Sequence, residues 1–201
     1  MTNVTGKGIF FLVAGPAGVG KTTLLAQLVA GEEGLVKAVS VTTRPPRANE
    51  TDGAAYYFWD ETRFLAAVEK GEFLEEAVVH GQHYGTLARF VEDQLAAGLD
   101  VIKDIDVQGV QQVRRLAAYR YPGSVAIFIM PPSREELVKR LQGRGSEDRA
   151  SLARRLKTAE AEMARAKEYD YVVVNDSLPE ALARLQAIRR DEHRKREGKC
   201  S

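Results

Sequence analysis

The chain has 201 residues, 44% of them hydrophobic and 28% charged, and a formal net charge of +1. That length supports one full core with a subdomain inserted into it, and the near-neutral balance excludes an overall pull toward nucleic acid or a membrane surface. The single cysteine, Cys200, excludes an internal disulfide and a cysteine-built metal site. No apolar run approaches the roughly 20 residues needed to span a bilayer. The first residues lack the charged, apolar and cleavage segments of a signal peptide, so the expected location is the cytoplasm.

The apolar run 9–13 predicts a first buried strand. It passes directly into Gly15-Pro16-Ala17-Gly18-Val19-Gly20-Lys21-Thr22, then Thr23 and the helix-forming stretch 24–28. Strand, glycine loop and helix in that order fit the form of a P-loop. The glycines let successive backbone N–H groups turn inward around phosphate oxygens, and the helix adds its positive N-terminal end to the same anion. In that frame Lys21 reaches the β- and γ-phosphates of a nucleoside triphosphate, and the Thr22 hydroxyl is placed to ligate Mg2+. What the triphosphate is used for has to come from the rest of the chain.

Residues 38–41 read as a second strand that ends in a polar, proline-bearing segment, and residues 101–106, 125–130 and 171–174 as further strands, each followed by a helix candidate. This alternation predicts the α/β class, a parallel sheet flanked by helices. Two helix starts carry capping signals, Ser133 with Glu136, and Ser177 with Pro179 and Glu180. Leu152, Leu156, Ala159 and Met163 recur at helical spacing and predict a buried stripe. Between about residues 40 and 98 the pattern changes. Short strand candidates at 56–59 and 73–79 flank a helix candidate at 60–70, which predicts an inserted subdomain with a small mixed sheet. An insert beside a P-loop core is a natural place for a phosphoryl acceptor, since transfer depends chiefly on holding two substrates in line.

Arg44 and Arg47 stand three apart beside prolines in Ser40-Val41-Thr42-Thr43-Arg44-Pro45-Pro46-Arg47. Such a pair suits forked contacts to a dianionic phosphate; alone, it would equally suit two solvated surface arginines. It is followed by Glu50, Gly53 and Tyr56, by Phe73-Leu74-Glu75, by Gly81-Gln82-His83-Tyr84-Gly85-Thr86 and by Asp104-Ile105-Asp106-Val107-Gln108-Gly109. Together with the P-loop, this order resembles the guanylate kinases, from about residue 9 to residue 175 and beyond.

The resemblance implies a single domain over residues 1–201, with a core at 1–39 and 99–201, a GMP-binding insert at 40–98 and a lid at about 140–156. It implies transfer of the γ-phosphoryl of MgATP to GMP, and to dGMP, giving the diphosphate and ADP. By the same likeness Ser40, Arg44, Arg47, Tyr56 and Tyr84 hold the phosphate of GMP, while Glu75, Thr86 and Asp104 read its base. Lys21, Arg44, Arg140, Arg144 and Arg155 form the catalytic set, the last three closing over the ATP phosphates with Gly143 and Gly145 as a hinge. Asn175 matches an adenine-contacting position, and Asp106 an outer partner of the metal. The base assignment has independent chemical support: guanine presents N1–H and an exocyclic amine side by side, and a carboxylate accepts both. Adenine offers neither pattern.

Gln82 stands where an asparagine is usual in the family, and Thr86 where some members have serine, which keeps the hydroxyl. Lys103 alternates with Val101 and Ile105, away from Asp104 and Asp106. It is expected to snorkel or to pair with a nearby carboxylate, outside the site. His80, His83 and His193 have no ligand spacing and read as surface or packing residues, and the tail 189–199, with acids among its bases, reads as a solvated helix end. Two rival functions remain open to a chain of this class. A P-loop kinase for another small phosphate ester would lack Glu75 and Asp104, and a silent binding module of the same fold would have lost Lys21 and Thr22. The partners expected are the small molecules GMP and ATP, without nucleic acid or membrane; no oligomeric state is expected from the sequence.

Overall fold

A computed structural model describes residues 8–48, 50–54, 56–79, 81–117, 120–142 and 149–198. In chain order the elements are β1 (Phe10–Ala14), α1 (Lys21–Gly31), β2 (Leu35–Lys37), β3 (Val41–Thr42), β4 (Tyr57–Phe58), α2 (Glu61–Glu69), β5 (Phe73–Val79), β6 (Gln82–Leu87), α3 (Ala88–Ala96), β7 (Asp100–Asp104), α4 (Val107–Ala117), β8 (Val125–Met130), α5 (Arg134–Gln142), α6 (Arg149–Met163), β9 (Tyr171–Val174) and α7 (Leu178–Glu197). Five strands form one sheet in the order β2-β7-β1-β8-β9, and four form a second in the order β4-β3-β6-β5. The crossing order of the first, with parallel pairing of β2 to β7 and of β8 to β9, is that of a helix-flanked parallel sheet. The second is mixed, with β3 parallel to β4 and antiparallel to β6, and β5 antiparallel to β6.

By backbone proximity the chain separates into two compact units, Met1–Phe11 with Gly34–Ser124, and Leu12–Glu33 with Val125–Ser201. In the first, the buried carboxylate of Asp100 accepts the Ile9 N–H at 2.7 Å, which fixes the start of β1. Asp60 caps α2 by accepting the Arg63 N–H at 2.8 Å, and the helix turns Phe64 inward, fully buried. Its ring stacks on Phe73 at 4.5 Å between centroids. Burying such a ring stabilises by about 2 kcal/mol, and the contact seats α2 against the small sheet.

The second unit has the elements the sequence predicts. The Ser133 hydroxyl accepts the Glu136 N–H at 3.1 Å, and the Ser177 hydroxyl accepts that of Glu180 at 3.3 Å, with Pro179 in the first turn of α7. Leu152, Leu156 and Met163 of α6 pack with Ala159 against Leu137 and Leu141 of α5, which is the predicted stripe. In the tail, Arg194 pairs with Asp191 and Lys195 with Glu192, so the interleaved acids neutralise their neighbours on the helix surface.

Two expected strands are corrected. Residues 38–41 are not one strand: β2 stops at Lys37, and only Val41 and Thr42 extend again, as β3. The Ala38 N–H still bonds the Ile102 carbonyl, while the Ser40 carbonyl accepts from Tyr57, so this stretch hands the chain from one sheet to the other. The strand expected at 101–106 ends at Asp104 because Asp106 opens α4, its carboxylate accepting the Gly109 N–H at 2.6 Å.

Candidate active site

The phosphate loop belongs to the second unit. β1 ends fully buried, and the next six residues turn the chain into α1 without a side-chain cap. Gly20 is the residue before the helix, at φ 95°, and a Cβ there would lie 2.7 Å from the Asn175 Nδ2. At Gly15, with φ 151°, a Cβ would lie 2.4 Å from the Ile129 carbonyl oxygen of β8, so no side chain fits either end of the loop. Lys21 donates its Nζ to the carbonyls of Gly15 at 2.5 Å and Pro16 at 3.4 Å. An ammonium has three donors; two hold the loop and one is left for an anion. Thr22 and Thr23 follow in the first turn of α1 with exposed side chains.

The loop is braced from later in the chain. Asn175, just past β9 and 6% exposed, donates Nδ2 to the Val19 carbonyl at 2.7 Å. Arg140 of α5 donates to the Asn175 carbonyl at 3.0 Å and to that of Val19 at 3.5 Å, and its Nε bonds Glu136 at 3.1 Å. Both residues, expected beside ATP, also support the backbone of the loop. Arg155 is half-buried on α6. Gly143, Arg144 and Gly145, within the expected lid, lie outside the described residues.

The second cluster lies in the first unit. Arg44 is held between Glu50 and two rings: Nη2 donates to the Glu50 Oε1 at 2.9 Å, Nη1 to the Pro45 carbonyl at 2.8 Å, and the guanidinium stands 5.4 Å from the Tyr56 centroid and 5.7 Å from that of Phe58. Glu50 also accepts the Arg47 N–H at 2.9 Å, so one carboxylate ties the Arg44 side chain to the Arg47 backbone. The hydrogen bond from Arg44 holds the Glu50 carboxyl below its ordinary value, and Glu50 in turn keeps Arg44 firmly protonated. Tyr56 meets Tyr84 edge-on at 5.8 Å, and burial pushes its phenol up. Gln82 takes up its departure from the family in a bond of its own, accepting from the Thr43 hydroxyl at 3.2 Å.

Across the β5 to β6 ladder, Glu75 faces Thr86. The buried Thr86 hydroxyl donates to the Glu75 Oε1 at 2.5 Å. A register irregularity between Phe73 and Glu75 sets the pair apart from the regular ladder below it. Burial pushes the Glu75 carboxyl above its ordinary value, while the charge of Lys103 and the Thr86 hydroxyl pull it back. Asp104 ends β7, half-buried, and Asp106 is exposed at the start of α4. A cleft of about 380 Å³ between β5 and α4 touches only Asp106 of the expected site residues, with Glu76, Val78, Val79 and Gln108 around it.

Lys103 overturns its expectation. It is 3% exposed and donates its Nζ to the hydroxyl of Ser40, inside the cluster. Alternation does put it opposite Asp104, but the chain leaving β2 crosses on that side on its way to β3, and brings Ser40 there. Glu50 was seen only as part of a family pattern, although its place three residues after Arg47 was a usable signal. Among the described residues no group of three or more His, Cys, Asp and Glu could hold a metal ion, and no helix is long and apolar enough to cross a membrane.

A glycine loop of this geometry, entered from a buried central strand and left through a helix, defines a P-loop nucleotide-binding protein of the kinase type. Its relatives narrow the class. The sequence profile of the guanylate kinase family matches residues 8–192. The chain is 47% identical to the guanylate kinase of Dechloromonas aromatica over 181 residues, 90% of this chain and 88% of that one. It is 48% identical to that of Alkalilimnicola ehrlichii, over 90% of this chain and 87% of that one. A crystal structure of guanylate kinase from Anaplasma phagocytophilum superposes with a TM-score of 0.71 at 35% identity, covering 92% of this chain and 86% of that one. The chain belongs to the guanylate kinase family.

Proposed function

We propose that this chain transfers the γ-phosphoryl of MgATP to GMP, and to dGMP, releasing ADP and the diphosphate. The observation that carries the reading is the Thr86 to Glu75 hydrogen bond of 2.5 Å, which leaves a half-buried carboxylate oriented by one neighbour and able to accept N1–H and the 2-amine of guanine. Asp104 completes the base site, and Ser40, Arg44, Arg47, Tyr56 and Tyr84 take the phosphate. The division into core, GMP-binding insert at 40–98 and lid at about 140–156 belongs to the same proposal.

At the loop, residues Gly15 to Thr23 wrap the ATP phosphates, and the third donor of Lys21 meets the group in transfer. Arg140 and Arg155, with Arg144, add positive charge there, and Asn175 lies by the adenine. The hydroxyl of Thr22 suits Mg2+, which is commonly held by few protein oxygens together with substrate phosphates rather than by an all-protein cage. Thr22 would hold it, with Asp106 kept as a candidate outer-shell partner; bound at Thr22, it would neutralise charge on the β- and γ-phosphates. The cytoplasm is the proposed place of action.

The test is a coupled assay of ADP release across GMP, dGMP, AMP, UMP and CMP. Turnover with GMP and dGMP alone supports the reading. Equal turnover with AMP, or none with GMP, overturns it.

A further inference from the structure

We propose that Lys103 is a positioning residue of the GMP pocket, which turns the Ser40 hydroxyl into a donor aimed at the nucleotide's phosphate and supplies the counter-charge to Glu75. The inference rests on the reading that this pocket takes GMP. A lysine is almost never fully buried unless it is paired, and Lys103 is 3% exposed near the end of β7, with the buried apolar residues Val101, Ile102 and Ile105 beside it in sequence. Its Nζ donates to the Ser40 Oγ. An ammonium can only donate, so the serine oxygen has to accept, and its own proton is directed at some other acceptor. A phosphate oxygen is such an acceptor. Thr86 is set the opposite way, with its proton given to Glu75. The two hydroxyls of the pocket are therefore assigned by two charged neighbours, one as donor to the phosphate and one as donor to the carboxylate that reads the base.

The charges around the pair agree with this. Burial, together with Lys37 from β2, pushes Lys103 below its ordinary value, and the charges of Glu75 from β5 and Asp104 from its own strand favour the ammonium against that push. Burial, with Asp106 and Glu76, pushes the Glu75 carboxyl above its ordinary value, and Lys103 and the Thr86 hydroxyl favour the carboxylate against that push. Only the ionised carboxylate can accept twice from guanine, and Lys103 is the charge that most favours that form.

The experiment is steady-state kinetics on K103M and K103Q beside the wild type, at several pH values. Burial raises the Glu75 carboxyl, so GMP binding by the wild type weakens as pH falls through that raised value. Removing Lys103 takes away the main opposing charge, so in K103M the acid limb of kcat/KM for GMP should move up by about one pH unit or more. KM for GMP should rise about tenfold or more, while KM for ATP stays within about twofold. K103Q, which keeps an N–H donor without the charge, should recover part of KM for GMP above the limb and leave the limb displaced. Equal losses for the two substrates, or an unmoved limb with normal KM for GMP, overturn the proposal. A wild type that does not phosphorylate GMP would instead overturn the reading of the pocket. If K103M does not fold, S40A still decides the first half: GMP binding should weaken while guanosine, which has no phosphate, binds as before. Equal weakening of both overturns it.

Discussion

The loop between Gly15 and Lys21 presents backbone to its ligand, whereas the pocket around Glu75 presents side chains held in place by other side chains. In the loop, three glycines at positive φ, Gly15, Gly18 and Gly20, define the path, and the one charged residue is tied to carbonyls of the loop itself. In the pocket, Arg44 depends on Glu50, Ser40 on Lys103, and Glu75 on Thr86 and Lys103. The difference follows from what each must recognise. Phosphates are alike in every nucleoside triphosphate, so a fixed cage of N–H groups suffices. A base must be told from its analogues, which takes polar side chains whose protonation and orientation are specified.

The largest expected effect breaks the backbone-built half at its single cation. Lys21→Ala should leave the fold intact and lower kcat by about 10³ or more, because no other residue of the loop brings a positive charge to the transferring group. Near-normal turnover in a folded variant would remove the role assigned to it. Next, Glu75→Gln should keep the shape of the pocket but lose double acceptance, lowering kcat/KM for GMP by roughly 2 to 4 kcal/mol while AMP stays flat or improves. The ratio of kcat/KM for GMP and AMP checks this, and an unchanged ratio means that Glu75 does not read the base.

Arg44→Ala sharpens the division between the two halves. It should weaken GMP by about 1.5 to 3 kcal/mol and spare ATP, as read by calorimetric titration of each nucleotide; equal losses would mean that the halves are not separate. The smallest effect concerns the loop's path. Gly20→Ala places a Cβ at φ 95° and 2.7 Å from Asn175, and should cost about 1 to 2 kcal/mol of stability, seen as a Tm lowered by several degrees. An unshifted Tm would show that the loop can relax around a methyl group.

The loop was legible in the sequence because its parts are consecutive: eight residues in a row carry the turn, the cation and the Thr22 hydroxyl. The strands at Val125–Met130 and Tyr171–Val174 were legible for the same reason, since an apolar run bounded by turn residues reports its own burial. The pocket was legible only by family likeness, as its members are spread from Ser40 to Asp104 and meet through sheet pairing. Lys103 shows where periodicity stops being informative. Strand alternation fixes which face a side chain takes, but not which segment lies across that face, and here it is Ser40 leaving β2. The split of residues 38–41 into a handover between two sheets was hidden for a related reason, because a chain crossing between sheets keeps extended, apolar composition throughout.

The brace from Asn175 to the Val19 carbonyl joins positions 156 residues apart. During synthesis the glycine loop leaves the ribosome long before the strand that supports it, and contacts of such separation form late. A nascent chain stopped before Asn175 should therefore carry the complete phosphate-loop sequence and yet retain ATP poorly, with retention appearing once β9 and Asn175 have emerged. Ribosome-bound chains of increasing length, probed with a fluorescent ATP analogue, would report that onset, and tight binding by the shorter chains would mean that the loop stands without its brace. On this view nucleotide capture is the closing event of assembly, and a half-made chain is kept from sequestering ATP by the order in which its residues arrive.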